Sequence, residues 1–301
     1  MRIFLDTADT EIIHKHFGTG LIDGITTNPT LIMRSGRNPE DVYQELKDIG
    51  VRDISMEVVG DATQMIVEGR RLAKKFGECA TIKVPCSPDG LAACHQLRRE
   101  LINVNVTLIF SLSDYKKVAE SHASTHLLNK VNPARSVASF SVSRVDTEID
   151  KRLDAIGTPE ALTLRGKAAI AQARLAYDIF LDAFAKATVT EGHSSIIQRL
   201  LWASTSTKNE AYDDLMYVTN LVAPFTVNTL PEDTITRIID HLPQDTTNFK
   251  LLDIAQALDT IEAIRAVGID MNDVFSTLES EGVEKFQKSF ETLLQAIDSK
   301  K

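Results

Sequence analysis

Short apolar runs alternate with longer amphipathic stretches along most of the chain. The runs are rich in Ile, Val, Leu, Phe and Thr, and most of them end at a polar residue followed by a turn signal, as β-strands do. The pattern predicts eight strands: Arg2–Asp6, Gly24–Asn28, Asp53–Val59, Ala80–Val84, Asn103–Ser111, Ser136–Arg144, Arg199–Ser204 and Phe225–Thr229. The amphipathic stretches between them predict helices.

Several of these helices have recognisable ends. Asn38 before a proline and Asp61 before Ala-Thr-Gln are typical N-caps, Ser87 opens another helix, and Gly77 after two lysines is a typical C-terminal stop. Strands that alternate with helices are joined by right-handed parallel crossovers. Eight such units in about 250 residues are what a closed barrel requires. We therefore predict an α/β fold, a (β/α)8 TIM barrel, with an open doubly wound sheet as the alternative.

Two segments depart from the short repeat. Within residues 146–198, Thr158 begins a long Ala-rich stretch that predicts an extended barrel helix reaching about Ala187. After the eighth run, amphipathic patterns predict additional C-terminal helices, packed on the barrel or over its mouth: Leu251–Val267, Met271–Glu281 and Val283–Ile297. No linker or repeat marks a second domain. We expect residues 1–301 to form one barrel domain, with an extended helical segment at about 146–198 and C-terminal helices at about 251–298.

Composition and charge narrow the range of partners. The chain has 301 residues, of which 43% are hydrophobic and 25% charged, as is usual for globular proteins. A formal net charge of -9 argues against nucleic acid or an anionic membrane as a partner. No apolar run is long enough to span a bilayer, and the N-terminus lacks a signal-peptide pattern. Three clustered cysteines, Cys79, Cys86 and Cys94, suit reduced thiols in a cytoplasmic protein.

In a parallel barrel the reactive side chains lie at the C-terminal ends of the strands. Lys83 lies in an apolar strand that ends at Pro85, so it should be partly desolvated. Desolvation disfavours the ammonium form, and an uncharged amine can attack a ketone carbonyl. The alternative is a lysine that reaches past the strand end into solvent. Asp6 and Glu57 occupy equivalent strand ends, where carboxyl groups can serve the proton transfers of a Schiff-base reaction; a salt bridge is the alternative for Asp6.

Other strand ends carry groups suited to substrate binding. Asn28, held extended by the proline after it, offers an amide to sugar hydroxyls, or alternatively caps a turn. Arg144, Ser204 and Lys208 follow two late strands, where barrels commonly bind phosphate. The alternative for Arg144 is an ion pair with a nearby acidic residue. Further polar residues close other runs: Asn105, Thr107 and Ser139.

Several cofactor and metal motifs fail. The Gly18-Thr-Gly20 segment lacks the spacing of a dinucleotide-binding loop, and no Gly-Lys-Ser/Thr phosphate loop is present. The sequence therefore gives no support for binding of NAD or ATP. His122 and His126 have helical spacing but no general base between them and no evident third ligand. We expect them to be histidines on a helix surface.

These strand-end motifs resemble those of the transaldolase family. Leu-Asp6, Thr-Thr-Asn28-Pro, Glu57-Val, Ile-Lys83-Val, Asn105-x-Thr107-Leu and a Ser/Arg pair occur in the family's order, and longer segments, including Gly282-Val-Glu-Lys-Phe286, resemble the longer bacterial subfamily. The resemblance covers nearly the whole chain. One departure is Lys208, which stands where other subfamilies place a second arginine.

The resemblance implies a site and a reaction. Lys83 would form the Schiff base, Asp6 would act as acid and base at the sugar hydroxyl, and Glu57 would relay protons through a water held by Thr107. The ketol unit and the phosphate would be bound by two further sets of residues: Asn28, Asn105 and Ser139, and Arg144, Ser204 and Lys208.

The implied reaction moves dihydroxyacetone between sugar phosphates, without a cofactor or a metal. In the pentose phosphate pathway, sedoheptulose 7-phosphate and glyceraldehyde 3-phosphate would be converted into erythrose 4-phosphate and fructose 6-phosphate. Two alternatives remain: an aldolase like fructose-6-phosphate aldolase that releases free dihydroxyacetone, and a non-catalytic barrel that binds sugar phosphates. A homodimer is an assembly that the sequence allows.

Overall fold

Eight parallel strands close into a barrel. The computed structural model describes residues 1–128, 134–189, 197–243 and 253–298. Within these residues the strands pair in chain order, and β1 also pairs with β8, which closes the sheet. The strands β1 to β8 are Arg2–Asp6, Gly24–Thr26, Ile54–Glu57, Ala80–Pro85, Asn103–Ile109, Ser136–Ser141, Gln198–Ala203 and Thr226–Leu230. The predicted (β/α)8 barrel is confirmed, and the open sheet is excluded.

Helices follow the strands. In the described residues, α1 to α13 are Thr10–Phe17, Pro29–Ser35, Pro39–Ile49, Ala62–Phe76, Pro88–Arg99, Leu112–Leu128, Ser143–Ile156, Pro159–Leu162, Ala168–Val189, Met216–Thr219, Glu232–His241, Ile254–Ala266 and Met271–Asp298. The predicted caps are confirmed: Asn38, Asp61 and Ser87 accept backbone N–H bonds at the starts of α3, α4 and α5, and Gly77 ends α4. None of the helices in these ranges is long and apolar enough to cross a membrane.

The side chains inside the barrel change from apolar to polar toward the C-terminal ends of the strands. Phe4, Val137, Leu201 and Val227 form a buried apolar cluster inside the barrel, separate from the larger core that lies between strands and helices. Residues alternate between these two sides because successive side chains of a strand point in opposite directions. Above the apolar cluster the inward positions become polar, which places the candidate site at the C-terminal mouth.

The strand predictions need correction at their ends. The predicted strand Ser136–Arg144 is wrong over its last residues, because β6 ends at Ser141, Val142 has a helical backbone conformation, and Ser143 and Arg144 begin α7. The second and third strands are shorter than predicted, and β7 and β8 are displaced by one residue. Apolar residues near these turns contact the core without belonging to the ladder, so hydrophobicity alone overestimates strand length.

The prediction of one extended helix from Thr158 is wrong. Thr158 caps only the short α8, and the long helix α9 begins at Ala168. Gly166 separates the two helices with a φ of 68°, a conformation that glycine adopts without strain. Its N–H donates to Asp150 Oδ1 at 2.9 Å, so α7 fixes the break. The segment 146–198 therefore contains most of α7 followed by two helices; residues 190–196 lie outside the described residues.

The C-terminal segment forms two helices rather than three. The predicted Met271–Glu281 and Val283–Ile297 are one continuous helix, α13. Gly282, which lies between the two predicted ranges, is helical in the structure, and a Cβ there would lie 3.1 Å from Leu108 and 3.3 Å from Arg144. Glycine therefore serves a close approach to the barrel mouth instead of a break. The first predicted helix is α12, whose predicted start at Leu251 lies outside the described residues.

The predicted surface histidines and the cysteines lie away from the barrel mouth. His122 on α6 is only 3% exposed and stacks edge-on against Phe184 of α9, so its predicted surface position is wrong. Its helix carries it into the packed interface between α6 and α9. The side chain of His126 lies outside the described residues. All three cysteines are free thiols, and burial raises the pKa of Cys94 to about 11, which disfavours the nucleophilic thiolate.

Candidate active site

The candidate site is built around the amine of Lys83 on β4. Lys83 is 7% exposed, and its Nζ donates to the carbonyl oxygen of Thr27 at 3.1 Å. The same nitrogen lies 3.1 Å from Glu57 Oε2. Glu57 and Lys83 are register partners on β3 and β4, so the parallel ladder itself holds both side chains at one level. The amine does not reach solvent along the strand end.

The buried carboxyl of Glu57 and the half-buried carboxyl of Asp6 are two acids near one amine. Burial raises the pKa of the Glu57 carboxyl, the nearby charge of Lys83 opposes this rise, and the negative charge of Asp6 adds to it. Burial likewise raises the pKa of Asp6, against the opposing effects of Lys83 and of a 2.7 Å hydrogen bond from Thr26 Oγ1. A low-dielectric site favours the uncharged form of each acid, which brings the proton affinities of acid and amine closer together. Such a site can pass protons between them.

A cavity of about 430 Å³ opens above the amine at the strand ends. Lys83, Asp6 and Thr107 line it, and Thr107 is 6% exposed at the end of β5. Glu57 lies beside Lys83 but does not line the cavity itself. A sugar phosphate that entered this cavity would meet the amine at its floor and one acid in its wall.

Asn28 has two environments. Its Oδ1 accepts a hydrogen bond from the backbone N–H of Leu31 at 3.0 Å and so caps α2, as the turn-cap alternative proposed. The backbone at Asn28 is extended, as predicted for a residue before proline. The residue also lines the cavity. One end of the amide is therefore fixed by the helix, which orients the other end for use as a donor.

Asn105 and Ser139 form a chain of hydrogen bonds beneath the cavity. Ser139 Oγ donates to Asn105 Oδ1 at 2.7 Å, and Asn105 Nδ2 donates to Ser55 Oγ at 3.0 Å. Asn105 is fully buried and does not line the cavity, whereas Ser139 does. Side chains on one face of a strand recur every second residue, so Asn105 lies one level below Thr107. The structure thus places Asn105 behind Ser139.

The two cations and one hydroxyl that were predicted to bind phosphate line the same cavity: Arg144, Lys208 and Ser204. The Arg144 guanidinium lies 5.0 Å from the ring centroid of Phe110, and burial lowers its pKa without removing the charge. The acidic residues that follow Arg144 in the sequence have other partners, Asp146 with Tyr217 and Glu148 with Arg152. Arg144 therefore forms no ion pair in the described residues.

The loop before α7 adds backbone and hydroxyl groups to this side. Ser204 has a φ of 56°, and its carbonyl oxygen accepts the Ser143 N–H at 2.8 Å. Val142, the N-cap of α7, supplies no side-chain cap, and the buried Ser143 Oγ has no hydrogen-bond partner in the described residues. Lys208 is exposed, and its Nζ donates to Ser206 Oγ at 2.6 Å. An uncapped helix start beside an arginine attracts anions.

Helices also contribute residues to the cavity, and none of these was among the predicted site residues. Arg34 of α2 and Lys285 and Phe286 of α13 line the cavity, and the Phe286 ring centroid lies 5.7 Å from Lys83 Nζ. The only sequence signal was the Gly282–Phe286 segment. Amphipathicity shows that a helix has a buried face, but tertiary packing decides what that face covers. Among the described residues no group of three or more His, Cys, Asp or Glu side chains is arranged to hold a metal ion.

A parallel barrel with a buried lysine and two acids at its mouth defines the class of the protein: a (β/α)8 barrel with a lysine-centred site. A family model described as Transaldolase/Fructose-6-phosphate aldolase matches residues 3–297. The chain belongs to this family.

Individual relatives agree with the family. The transaldolase of Mycolicibacterium smegmatis is 46% identical over 225 residues, which cover 71% of this chain and 60% of the relative. That of an Arthrobacter species is 44% identical, with coverages of 82% and 68%, and that of Thermobifida fusca is 37% identical, with coverages of 91% and 87%. The match thus spans about three fifths of the length of the mycobacterial relative.

Proposed function

We propose that this protein is a transaldolase, which transfers a dihydroxyacetone unit from a ketose phosphate to an aldose phosphate through a Schiff base on Lys83. The observation that carries the proposal is the 3.1 Å contact between Lys83 Nζ and Glu57 Oε2 at the floor of a cavity lined by Asp6. Membership of the family supports it, as do relatives that carry the name transaldolase.

The first step needs an uncharged amine. A proton passes from Lys83 to Glu57, whose carboxyl lies 3.1 Å from Nζ and has a pKa that is raised by burial. The free electron pair of Nζ then attacks the ketone carbon of the substrate. Through a water bound to Thr107, Glu57 returns this proton to the carbinolamine oxygen and then carries a second proton from Nζ to the same oxygen, which leaves as water. The product is a protonated Schiff base.

The second step breaks a carbon–carbon bond. Asp6 removes the proton from the hydroxyl group on the departing carbon of that bond. This carbon becomes the aldehyde carbon of the product, and the electron pair of the broken bond moves toward the Schiff-base nitrogen. The aldose phosphate leaves, and an enamine of three carbons stays on Lys83. An acceptor aldose phosphate reverses these steps, with Asp6 returning the proton to the new hydroxyl. Because the nitrogen of Lys83 accepts the electrons, the reaction needs no cofactor.

Two groups of residues position the substrate. Arg144, Ser204 and Lys208, together with the uncapped start of α7, bind the phosphate at one end. Asn28 and Ser139 bind hydroxyl groups of the ketol unit, and Asn105 orients the Ser139 hydroxyl from below. These two anchors set which bond lies next to Asp6, and correct placement accounts for a large part of such catalysis.

The proposal extends to the whole protein. The donors are fructose 6-phosphate and sedoheptulose 7-phosphate, and the acceptors are erythrose 4-phosphate and glyceraldehyde 3-phosphate, as in the non-oxidative pentose phosphate pathway. Residues 1–301 form one domain that acts in the cytoplasm and binds neither nucleic acid nor membrane. A homodimer is the assembly that we propose to test.

Product analysis tests this function. With fructose 6-phosphate and erythrose 4-phosphate, the enzyme should form sedoheptulose 7-phosphate and glyceraldehyde 3-phosphate, and Lys83→Met should form neither. Lys288→Met, on the exposed side of α13, is the matched control and should remain active. Rapid release of free dihydroxyacetone without an acceptor would instead identify an aldolase. Binding of fructose 6-phosphate without any product would identify a non-catalytic barrel.

A further inference from the structure

The helix α13 covers the mouth of the barrel directly above the reactive amine. Phe286 lines the cavity with Lys83, and the ring centroid is 5.7 Å from Nζ, within the range of a cation–π contact. The other near neighbours of the amine, Glu57 and Thr27, are polar and lie on the barrel side. The ring is thus the apolar neighbour that α13 adds to the amine.

Three contacts hold α13 in this place. Thr30 Oγ1 and the buried Ser289 Oγ are 2.8 Å apart, which fastens the helix to α2. Arg152 of α7 donates to Asp273 at 2.6 Å near the start of α13. Between these points Gly282 lets the helix backbone approach Leu108 and Arg144. These contacts with α2, α7 and the barrel fix the part of α13 that carries the Phe286 ring.

We propose that Phe286 is a positioning residue that decides the fate of the three-carbon intermediate on Lys83. This inference rests on the proposed function and concerns the partition after bond cleavage. In transfer, the electron pair of the enamine carbon forms a bond to the aldehyde carbon of the acceptor, whose oxygen takes a proton. In hydrolysis, the enamine carbon takes a proton instead. Water then adds to the iminium carbon, the C–N bond breaks, and dihydroxyacetone and the free amine are released.

The ring favours transfer for two physical reasons. An apolar surface beside the nitrogen excludes the water that hydrolysis consumes. The face of the ring also stabilises the positive nitrogen of the Schiff base, so the adduct persists until an acceptor arrives. Neither effect requires Phe286 to exchange a proton, so its loss should change the partition more than the formation of the adduct.

The test measures dihydroxyacetone released per sedoheptulose 7-phosphate formed, with fructose 6-phosphate and erythrose 4-phosphate. Phe286→Ala should raise this ratio on the order of tenfold. The change corresponds to the loss of one cation–π contact and of the apolar surface that excludes water from the Schiff base. Phe286→Leu keeps apolar bulk and should restore most of the wild-type ratio. Val283→Ala, at an exposed position of the same helix, should leave the ratio unchanged.

A second variant covers the case in which Phe286→Ala fails to fold. Ser289→Ala removes the bond to Thr30 and should raise the ratio in the same direction by loosening α13. An unchanged ratio in folded Phe286→Ala, or in Ser289→Ala where the first variant is unfolded, would overturn the inference while leaving transfer by the wild type intact. If the wild type itself makes no sedoheptulose 7-phosphate, the proposed function fails instead.

Discussion

Glu57 and Lys83 are register partners on adjacent parallel strands, and their side chains meet at 3.1 Å inside the barrel mouth. Because the backbone ladder sets this pairing, the distance depends little on loops or on solvent. Both groups are almost completely shielded from water, with exposed side-chain fractions of 9% for the lysine and 3% for the acid. Proton transfer between them therefore needs no rearrangement of the chain.

Glu57→Gln should slow Schiff-base formation. Glutamine keeps the shape and can accept a hydrogen bond from Lys83, but it cannot take up or return the proton. We expect kcat to fall by roughly 10²–10⁴-fold, the usual contribution of a positioned acid–base group. Rapid-mixing experiments with borohydride trapping measure the step directly. Glu284→Gln on the exposed face of α13 is the control, and an equal rate of adduct formation in Glu57→Gln and wild type would contradict the proton-relay role.

Asp6→Asn should separate adduct formation from bond cleavage. Lys83 and Glu57 remain, so the ketose phosphate should still form its Schiff base, but no base is left to remove the hydroxyl proton. We predict that kcat falls by roughly 10²–10⁴-fold. Mass spectrometry after borohydride reduction should then detect the whole six-carbon sugar phosphate on the protein. If the trapped adduct contains only three carbons, cleavage has occurred without Asp6 and its assigned role is wrong.

Arg144→Met should weaken phosphate binding. The guanidinium lines the cavity without an ion-pair partner in the described residues, so its hydrogen-bonding capacity is available to a ligand. Hydrogen bonds to charged groups contribute about 1.5–3 kcal/mol, so the inhibition constant of inorganic phosphate should rise roughly 10–100-fold. Arg99→Met, on the exposed face of α5, is the matched control. An unchanged inhibition constant in Arg144→Met would place the phosphate elsewhere.

Asp146 should make the stability of the protein depend on pH. Burial raises its pKa to about 6, even though Tyr217 and the Ala169 N–H donate hydrogen bonds to it. In the unfolded chain the pKa of an aspartate is about 3.9. The native state therefore holds a proton in a window where the unfolded state has lost it. Stability from this residue is fully present below about pH 4 and is lost as the pH rises through about 6.

Asp146→Asn should remove this dependence. The shift of about two pKa units corresponds to roughly 3 kcal/mol, so the free energy of unfolding of the variant relative to wild type should increase by that order between pH 4 and pH 7. Urea denaturation at both pH values measures the difference. Asp154→Asn changes an exposed carboxylate and should show little dependence. A variant-to-wild-type difference that stays constant with pH would show that Asp146 is not titrating in this window.

The hydrophobic pattern predicts the barrel well because strands and helices each repeat with their own fixed period. The first strand, Arg2–Asp6, has the same bounds in prediction and structure. The errors occur where local signals compete with packing. The two predicted helices on either side of Gly282 form one helix in the structure, and this glycine allows α13 to approach the mouth. Conversely, Gly166 interrupts a stretch whose alanines favour a continuous helix.

The residues of the candidate site also fall into two groups, those that the sequence could predict and those that it could not. Strand-end residues such as Lys83, Asp6 and Glu57 could be predicted, because barrel closure brings any strand end to one mouth. Asn105 was placed correctly on its strand, but its level below the cavity depends on strand register, which a single sequence does not determine. Phe286 could not be predicted as a neighbour of Lys83, since 203 positions separate them in the sequence. Only the packing of α13 creates that contact.

Peptide mapping of the reduced adduct tests most directly whether Lys83 is the amine that forms the Schiff base. Wild-type protein incubated with fructose 6-phosphate and sodium borohydride should gain one covalent sugar-derived group, located by tandem mass spectrometry on the peptide that contains Lys83. Lys83→Met should gain none under the same conditions. An adduct on another lysine, or equal labelling of the Lys83→Met protein, would contradict a Schiff base at this position.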